Sequence, residues 1–261
     1  MTQSHRPNLL FIFTDEQAVR TMKAYGQEDI QTPNMDKLAE ESILFENAYV
    51  TQPVCTPSRS SLLTGLYPHT SGCTENNRPL PPDVPCFPEL GRFEAYETAY
   101  FGKWHLGDEI FAQHGFEHWR SVDDSYYPYY TPGRDRSARS TYADFLAAHG
   151  QQPDMGNEHG MEGFSRDFTA RLPERLSKPA YLAQEACRFI RTHKEDPFVL
   201  FVNFFEPHMP FFGPRDGQYD PNQVPLPPNF DHDLDESHPL KARLFRRAYA
   251  EHGHSGLPLK T

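Results

Sequence analysis

Two stretches of this chain, Asn8 to Phe13 and Pro197 to Phe204, are continuous apolar runs with no alternation of polar and apolar residues. A strand of that kind is buried on both faces, as in a parallel sheet covered by helices. The first run stops at Thr14-Asp15-Glu16-Gln17, and the second leads into Glu206-Pro207-His208. In such sheets the carboxyl ends of the strands open into a site. Thr98 to Phe101 predicts a third strand, emptying into Gly102-Lys103-Trp104-His105-Leu106-Gly107. Ile43 to Val50 predicts a fourth, leading towards Cys55.

Helices alternate with these strands. Thr32 caps and Pro33 opens one, since a proline fits the first helical position. Pro179 to Lys194 has helical spacing, with Leu182, Ala186, Phe189 and Ile190 on one face. Leu240 to Ala250 predicts another. Ser121 to Arg139, dense in Tyr, Pro, Asp and Arg, reads as an irregular excursion, a lid or a substrate-facing insertion. Loops are expected at 150–166 and 252–261, and an extended course for the Pro-rich 212–229. The alternation indicates an α/β fold with a largely parallel central sheet flanked by helices. Without a repeat or a clear linker, residues 1–261 are expected to form one domain.

The net charge of −11 argues against nucleic acid or an anionic membrane surface as a partner. Twenty-five prolines and a rich aromatic content suggest long structured loops on a scaffold. Cysteines 55, 73, 86 and 187 show neither a CxxC pair nor zinc-like spacing. The run Leu9 to Phe13 is too short for a signal core, and nothing approaches a membrane span. The expectation is a cytoplasmic protein with reduced cysteines.

The stretch Val54-Cys55-Thr56-Pro57-Ser58-Arg59-Ser60-Ser61-Leu62-Leu63-Thr64-Gly65 carries the chemistry. Thr56 can cap a helix, Pro57 fits its first position, and Gly65 fits just past its end. Cys55 then sits immediately before a helix N-terminus, where free N–H groups and the macrodipole favour an anion and make a thiol reactive. Arg59, one turn on, presents a permanently charged fork suited to an oxyanion. Asp15 and Glu16, at a strand end, suit a hard divalent cation. If the backbone stays extended their side chains diverge, which favours Asp15. Lys103 and His105, two apart in an extended segment, face the same way.

Cys-x-Pro-x-Arg followed by Leu-Thr-Gly resembles the maturation and active-site signature of the type I sulfatases, in the alkaline phosphatase superfamily. Gly-Lys-Trp-His-Leu-Gly at 102–107 and Pro-His-x-Pro-Phe at 207–211 resemble further sulfatase motifs. The resemblance implies that Cys55 is oxidised by a maturation enzyme to Cα-formylglycine, whose hydrate is the nucleophile. It implies that Asp15, with Glu16 and residue 55, binds Ca2+ or Mg2+, and that Arg59 positions the nucleophile. Lys103 would bind the hydrate and the sulfate oxygens. His105 would remove the proton that drives sulfate expulsion, and His208 would contact the sulfate and assist the leaving oxygen. Asn76 falls near a sulfate-binding asparagine of some bacterial relatives; Asn77 could serve instead, or both could be turn residues.

The implied activity is hydrolysis of a small sulfate ester. Phosphonate monoesters and phosphodiesters are the alternative substrates in the same superfamily. No second strand-end acidic motif follows His208, so the chain reads as an amino-terminal portion of a sulfatase catalytic domain. A third reading is a non-catalytic fragment lacking the rest of the metal site. A sheet short of its later strands would also expose an apolar edge.

Overall fold

Every residue of the strand Phe198–Asn203 is buried, and its neighbours explain how. The computed structural model describes residues 6–153, 170–209, 211–226, 229, 232 and 234–252. Its main elements are β1 (Leu9–Phe13), α1 (Pro33–Glu40), α2 (Cys55–Thr64), α3 (Pro68–Ser71), β2 (Glu97–Gly102), β3 (His118–Arg120), α4 (Thr141–Ala148), α5 (Lys178–Thr192), β4 (Phe198–Asn203) and α6 (Leu240–His252). The strands form one sheet in the order β1-β4-β2-β3, and every pair is parallel. This is the α/β architecture that the continuous apolar runs predict.

Side chains alternate across the sheet, as the two-residue period of a strand requires. Ala99, Phe101, Phe198, Leu200 and Val202 face a core shared with Leu146 of α4 and Leu182, Ala186 and Phe189 of α5. Tyr100, Val199 and Phe201 face the opposite core with Leu63 of α2, Trp104 and Trp119. Burying each large apolar side chain contributes about 1.5–3 kcal/mol, so β4, covered on both faces, anchors the layer. β1 lies at one edge, where Leu9, Leu10 and Ile12 are exposed, and there the sheet does show an apolar edge.

The described residues fall into two compact units. One comprises Met1–Pro153 with Leu172–His208 and holds the sheet and α1 to α5; the other comprises Asp154–Arg171 with Met209–Thr261 and holds α6. No helix of the described residues is long and apolar enough to cross a membrane.

Three local expectations are corrected. Ile43 to Val50 forms no strand; Ile43 and Tyr49 are 84% and 91% exposed, so the apolar residues find no sheet to join. Helix α2 starts two residues earlier than its cap signals suggest, with Val54 as N-cap and Cys55 as its first residue. Gly65 does end it, in the left-handed conformation at φ 71°. Within 212–229 the described residues turn repeatedly, with a 3-10 helix at Pro221–Gln223 in place of an extended course. Most of 150–166, and 253–261, lie outside the described residues.

Candidate active site

Four elements converge at the carboxyl edge of the sheet. Asp15 follows β1, Lys103 and His105 follow β2, His208 follows β4, and α2 brings Cys55 and Arg59. The convergence depends on how closely β2 and β4 run. Gly102 pairs with Asn203, and a Cβ on Gly102 would lie 1.8 Å from the Asn203 carbonyl oxygen. Gly102 also has φ 108°, a conformation natural to glycine. The next residue, Lys103, donates its N–H to the same oxygen at 3.1 Å.

The Lys103 ammonium, fully buried, rests on Asp15 Oδ2 and lies 3.8 Å from the Cys55 sulfur. The sulfur lies 3.9 Å from Asp15 Oδ1. Arg59, 2% exposed, places Nη2 3.5 Å from Asp15 Oδ2 and donates from Nη1 to the Lys103 carbonyl at 2.7 Å. The Tyr100 hydroxyl donates to that carbonyl as well, at 2.7 Å. Two buried cations thus face one buried carboxylate. Burial alone raises the Asp15 pKa, but Arg59 and Lys103 together hold it below the usual carboxylate value. The surplus positive charge beside Cys55 suits an anion. Arg59 Nε and His105 Nδ1 have no hydrogen-bond partner among the described residues, so a buried donor and, on the neutral ring whose Nε2 donates to Asn77, a buried acceptor remain at the site.

His105 does not lie in an extended segment. Its φ is 57°, so its ring leaves the direction taken by Lys103 and meets Asn77 Oδ1 through Nε2 at 2.8 Å. Burial first, then Lys103 and Arg59, push its pKa down to about 3, so the imidazole is neutral near pH 7. Tyr126, from the irregular excursion, lies over the ring at a centroid distance of 4.4 Å. That excursion is partly site-facing.

Asn76 accepts the Thr56 N–H on Oδ1 at 3.0 Å, supplying from a distance the cap that α2 lacks in its own sequence. Thr56 itself does not cap; its hydroxyl donates to the His105 carbonyl at 2.7 Å. Glu16, with φ 58° and a half-exposed side chain, turns to His208, whose Nε2 lies 3.7 Å from Oε1. Asp15, Cys55 and His208 bring ligand atoms within 4.8 Å of one another.

Beside Asn77, which the sequence offered as the alternative to Asn76, two contributors went unread. Glu109 is fully buried and accepts the N–H groups of Trp104 at 2.7 Å and His105 at 2.6 Å. Asn77 meets His105, and Phe205 lies under the Lys103 ammonium at 4.8 Å. An acid four residues after the histidine was the available signal for Glu109; Phe205 leaves no spacing pattern.

A hard divalent cation takes six or more oxygen ligands. The described residues bring one buried carboxylate, Asp15, with Glu16 half-exposed beside it, so they provide part of such a shell and do not complete it.

A helix-borne sulfur among buried cations, at the carboxyl edge of a parallel sheet, defines an α/β protein with an anion-handling site. The Sulfatase family model matches residues 7–246, and the chain belongs to that family. It is 42% identical over 117 residues to an N-acetylglucosamine-6-O-sulfatase of Bacteroides thetaiotaomicron, covering 45% of this chain and 20% of that protein. It is 32% identical over 213 residues to the uncharacterized sulfatase YidJ of Escherichia coli, covering 80% of this chain and 40% of the relative. The chain therefore spans well under half the length of either. Among solved structures, a protein in complex with its substrate D-glucosamine-2-N,6-O-disulfate matches 78% of this chain and 35% of its own, with TM-score 0.53 and 28% identity. The phosphonate monoester hydrolase of Agrobacterium radiobacter shares the fold over 85% of this chain and 45% of its own, with TM-score 0.63 and 23% identity.

Proposed function

We propose that residues 1–261 form the nucleophile-bearing, amino-terminal portion of a sulfatase catalytic domain that hydrolyses a small sulfate ester. The observation that carries this reading is the buried pair of cations, Lys103 and Arg59, gathered around Cys55 at the start of α2. In this reading a maturation enzyme oxidises Cys55 to formylglycine. The hydrated aldehyde supplies one hydroxyl that attacks sulfur and a second that lets the sulfate depart.

The residues of the chain divide the remaining work. Lys103 and Arg59 offset charge on the sulfuryl oxygens, in a site where neither needs to reorganise. His105, kept neutral by its surroundings, accepts the proton whose removal releases sulfate. His208 hands a proton to the leaving oxygen, with Glu16 orienting it. Asp15 is the buried carboxylate available to Ca2+ or Mg2+; because the shell is partial, no step is assigned to the ion. Asn76 acts through the helix start, and Asn77 through His105. The relatives' names make a sulfated amino sugar the first ester to test.

The test is a parallel assay of the matured chain, with added Ca2+ or Mg2+, on an aryl sulfate, a sulfated glucosamine, a phosphodiester and a phosphonate monoester. Faster turnover of the sulfates supports the proposal. Preference for the phosphorus esters moves the chain to the alternative substrate class. Absence of any turnover means that these residues alone do not catalyse.

A further inference from the structure

Three half-buried side chains meet at the amino ends of the strands, away from the carboxyl edge that holds Cys55. Glu97 is the first residue of β2, His118 the first of β3, and His193 the C-cap of α5. A carboxylate oxygen of Glu97 and one ring nitrogen of each histidine lie within 4.8 Å of one another. We propose that Glu97, His118 and His193 form a second metal site, selective for a transition ion such as Zn2+, that clamps the short edge strand β3 to β2 and α5.

The donor set is the first argument. Two imidazoles and one carboxylate suit Zn2+ and its neighbours, whereas Ca2+ and Mg2+ call for an all-oxygen set. Geometry is the second. His118 Nε2 lies 2.9 Å from Glu97 Oε2. Tetrahedral zinc with bonds near 2.0–2.1 Å separates its ligands by about 3.3 Å. An ion can therefore replace the proton that His118 and Glu97 share with little movement of either.

Orientation of His193 is the third. Its Nδ1 lies 2.9 Å from the Phe189 carbonyl, which only accepts, and 3.0 Å from the Thr192 hydroxyl. That hydroxyl is within reach of the Arg188 and Phe189 carbonyls at 3.1 and 3.0 Å, to which it donates. The proton of His193 therefore sits on Nδ1, and Nε2 keeps the lone pair. A ligating histidine held by a backbone carbonyl through its other nitrogen is the usual second layer of a zinc site. Both rings also lean on one buried aromatic: Phe189 stacks on His193 at 4.1 Å and meets His118 edge-on at 5.2 Å.

Nearby cations do not compete for Glu97. Arg120 and Arg188 are both held by Glu185. A cavity of about 170 Å3 lined by His118, His193 and Glu185 leaves room for water on the open side of the ion.

The experiment uses the full 261-residue chain and ZnCl2 alone. Zn2+ affinity is measured by competition with a chromogenic chelator for the wild type, His118→Phe, His193→Phe and Glu97→Gln, with His114→Phe and Glu89→Gln as controls at a donor cluster elsewhere in the fold. The phenylalanines keep the ring packing and remove the nitrogen. A Kd raised at least tenfold in the first three variants and not in the controls supports the site. A zinc excess of a hundred times Kd should also raise the wild-type Tm by about 5 °C. Affinity unchanged in His118→Phe and Glu97→Gln, or millimolar in the wild type, overturns it. Should those variants fail to fold, wild-type crystals soaked in ZnCl2 decide: an anomalous peak between Glu97, His118 and His193 supports the site, and peaks only elsewhere overturn it.

Discussion

The ammonium of Lys103 lies 3.8 Å from the sulfur of Cys55, although 48 residues separate them in the chain. Nothing local creates that approach. β2 delivers the lysine, α2 delivers the cysteine, and Asp15 from β1 holds the lysine in place. Lys103 is fully buried and Arg59 nearly so, so one carboxylate compensates two cations.

Removing Asp15 strands both charges. Breaking a buried pair costs about 3–5 kcal/mol, mostly for the charge left behind. Asp15→Asn should therefore lower unfolding stability by about that amount in urea titrations. The double variant Asp15→Asn/Lys103→Met should cost less than the two single changes added together. Additive costs would show that the two groups are not coupled.

The closeness of β2 and β4 makes its own prediction. Gly102→Ala places a methyl group 1.8 Å from a backbone oxygen at φ 108°. The two strands must part, and a loss of about 3 kcal/mol or more is expected in thermal or urea melts. An unchanged melt would mean that Gly102 and Asn203 are not paired as described.

His105 sets a pH dependence. Its folded pKa, about 3, is depressed below the ordinary 6.5 by burial and by the positive charges of Lys103 and Arg59. The stability linked to the neutral ring is present above pH 6.5 and is lost as pH falls from there through 3. The steepest contribution is about 1.4 kcal/mol per pH unit. Stability of the wild type relative to His105→Gln, followed from pH 7 to 3.5, should fall along that course. A flat difference would contradict a buried neutral imidazole.

Glu109 slopes the other way. Burial raises its pKa from 4.5 to about 7, against the pull of the Trp104 and His105 N–H groups. Its linked stability is present below pH 4.5 and is lost as pH rises through 7. Glu109→Gln removes one of two acceptors and leaves a backbone N–H facing an amide, at a cost of about 1–3 kcal/mol. That cost should shrink between pH 4.5 and 7, and a cost that grows over the same interval would contradict the raised pKa.

The parts of this fold visible in the sequence are those whose residues answer to one local rule. β1, β2 and β4 are apolar runs, and α1 and α5 carry a proline opening and a helical stripe. β3 is three residues long with only Trp119 buried, too short to show a period. Ile43 to Val50 has the apolar content of a strand, but pairing is a long-range property, and these residues meet no neighbouring strand. The site divides in the same way. Asp15, Cys55, Arg59, Lys103, His105 and His208 sit in short motifs, so their kind and order can be read. Glu109 holds a backbone in place, and Asn77, open in the sequence as a sulfate ligand or a turn residue, holds a ring; any polar residue at the right point in space would do either. The start of α2 misled for a related reason: Thr56 looks like a cap, yet Asn76, twenty residues on, performs the capping.

The central claim is that residue 55 is the modified nucleophile of a sulfate-ester hydrolase. The chain should be co-expressed with a formylglycine-generating enzyme, digested, and the peptide spanning Cys55 to Arg59 weighed, with an aldehyde-specific hydrazide as a second label. The account predicts the mass of the aldehyde in place of the thiol and capture by the hydrazide. An intact thiol under those conditions, in a chain whose maturation enzyme converts a control substrate, would contradict it.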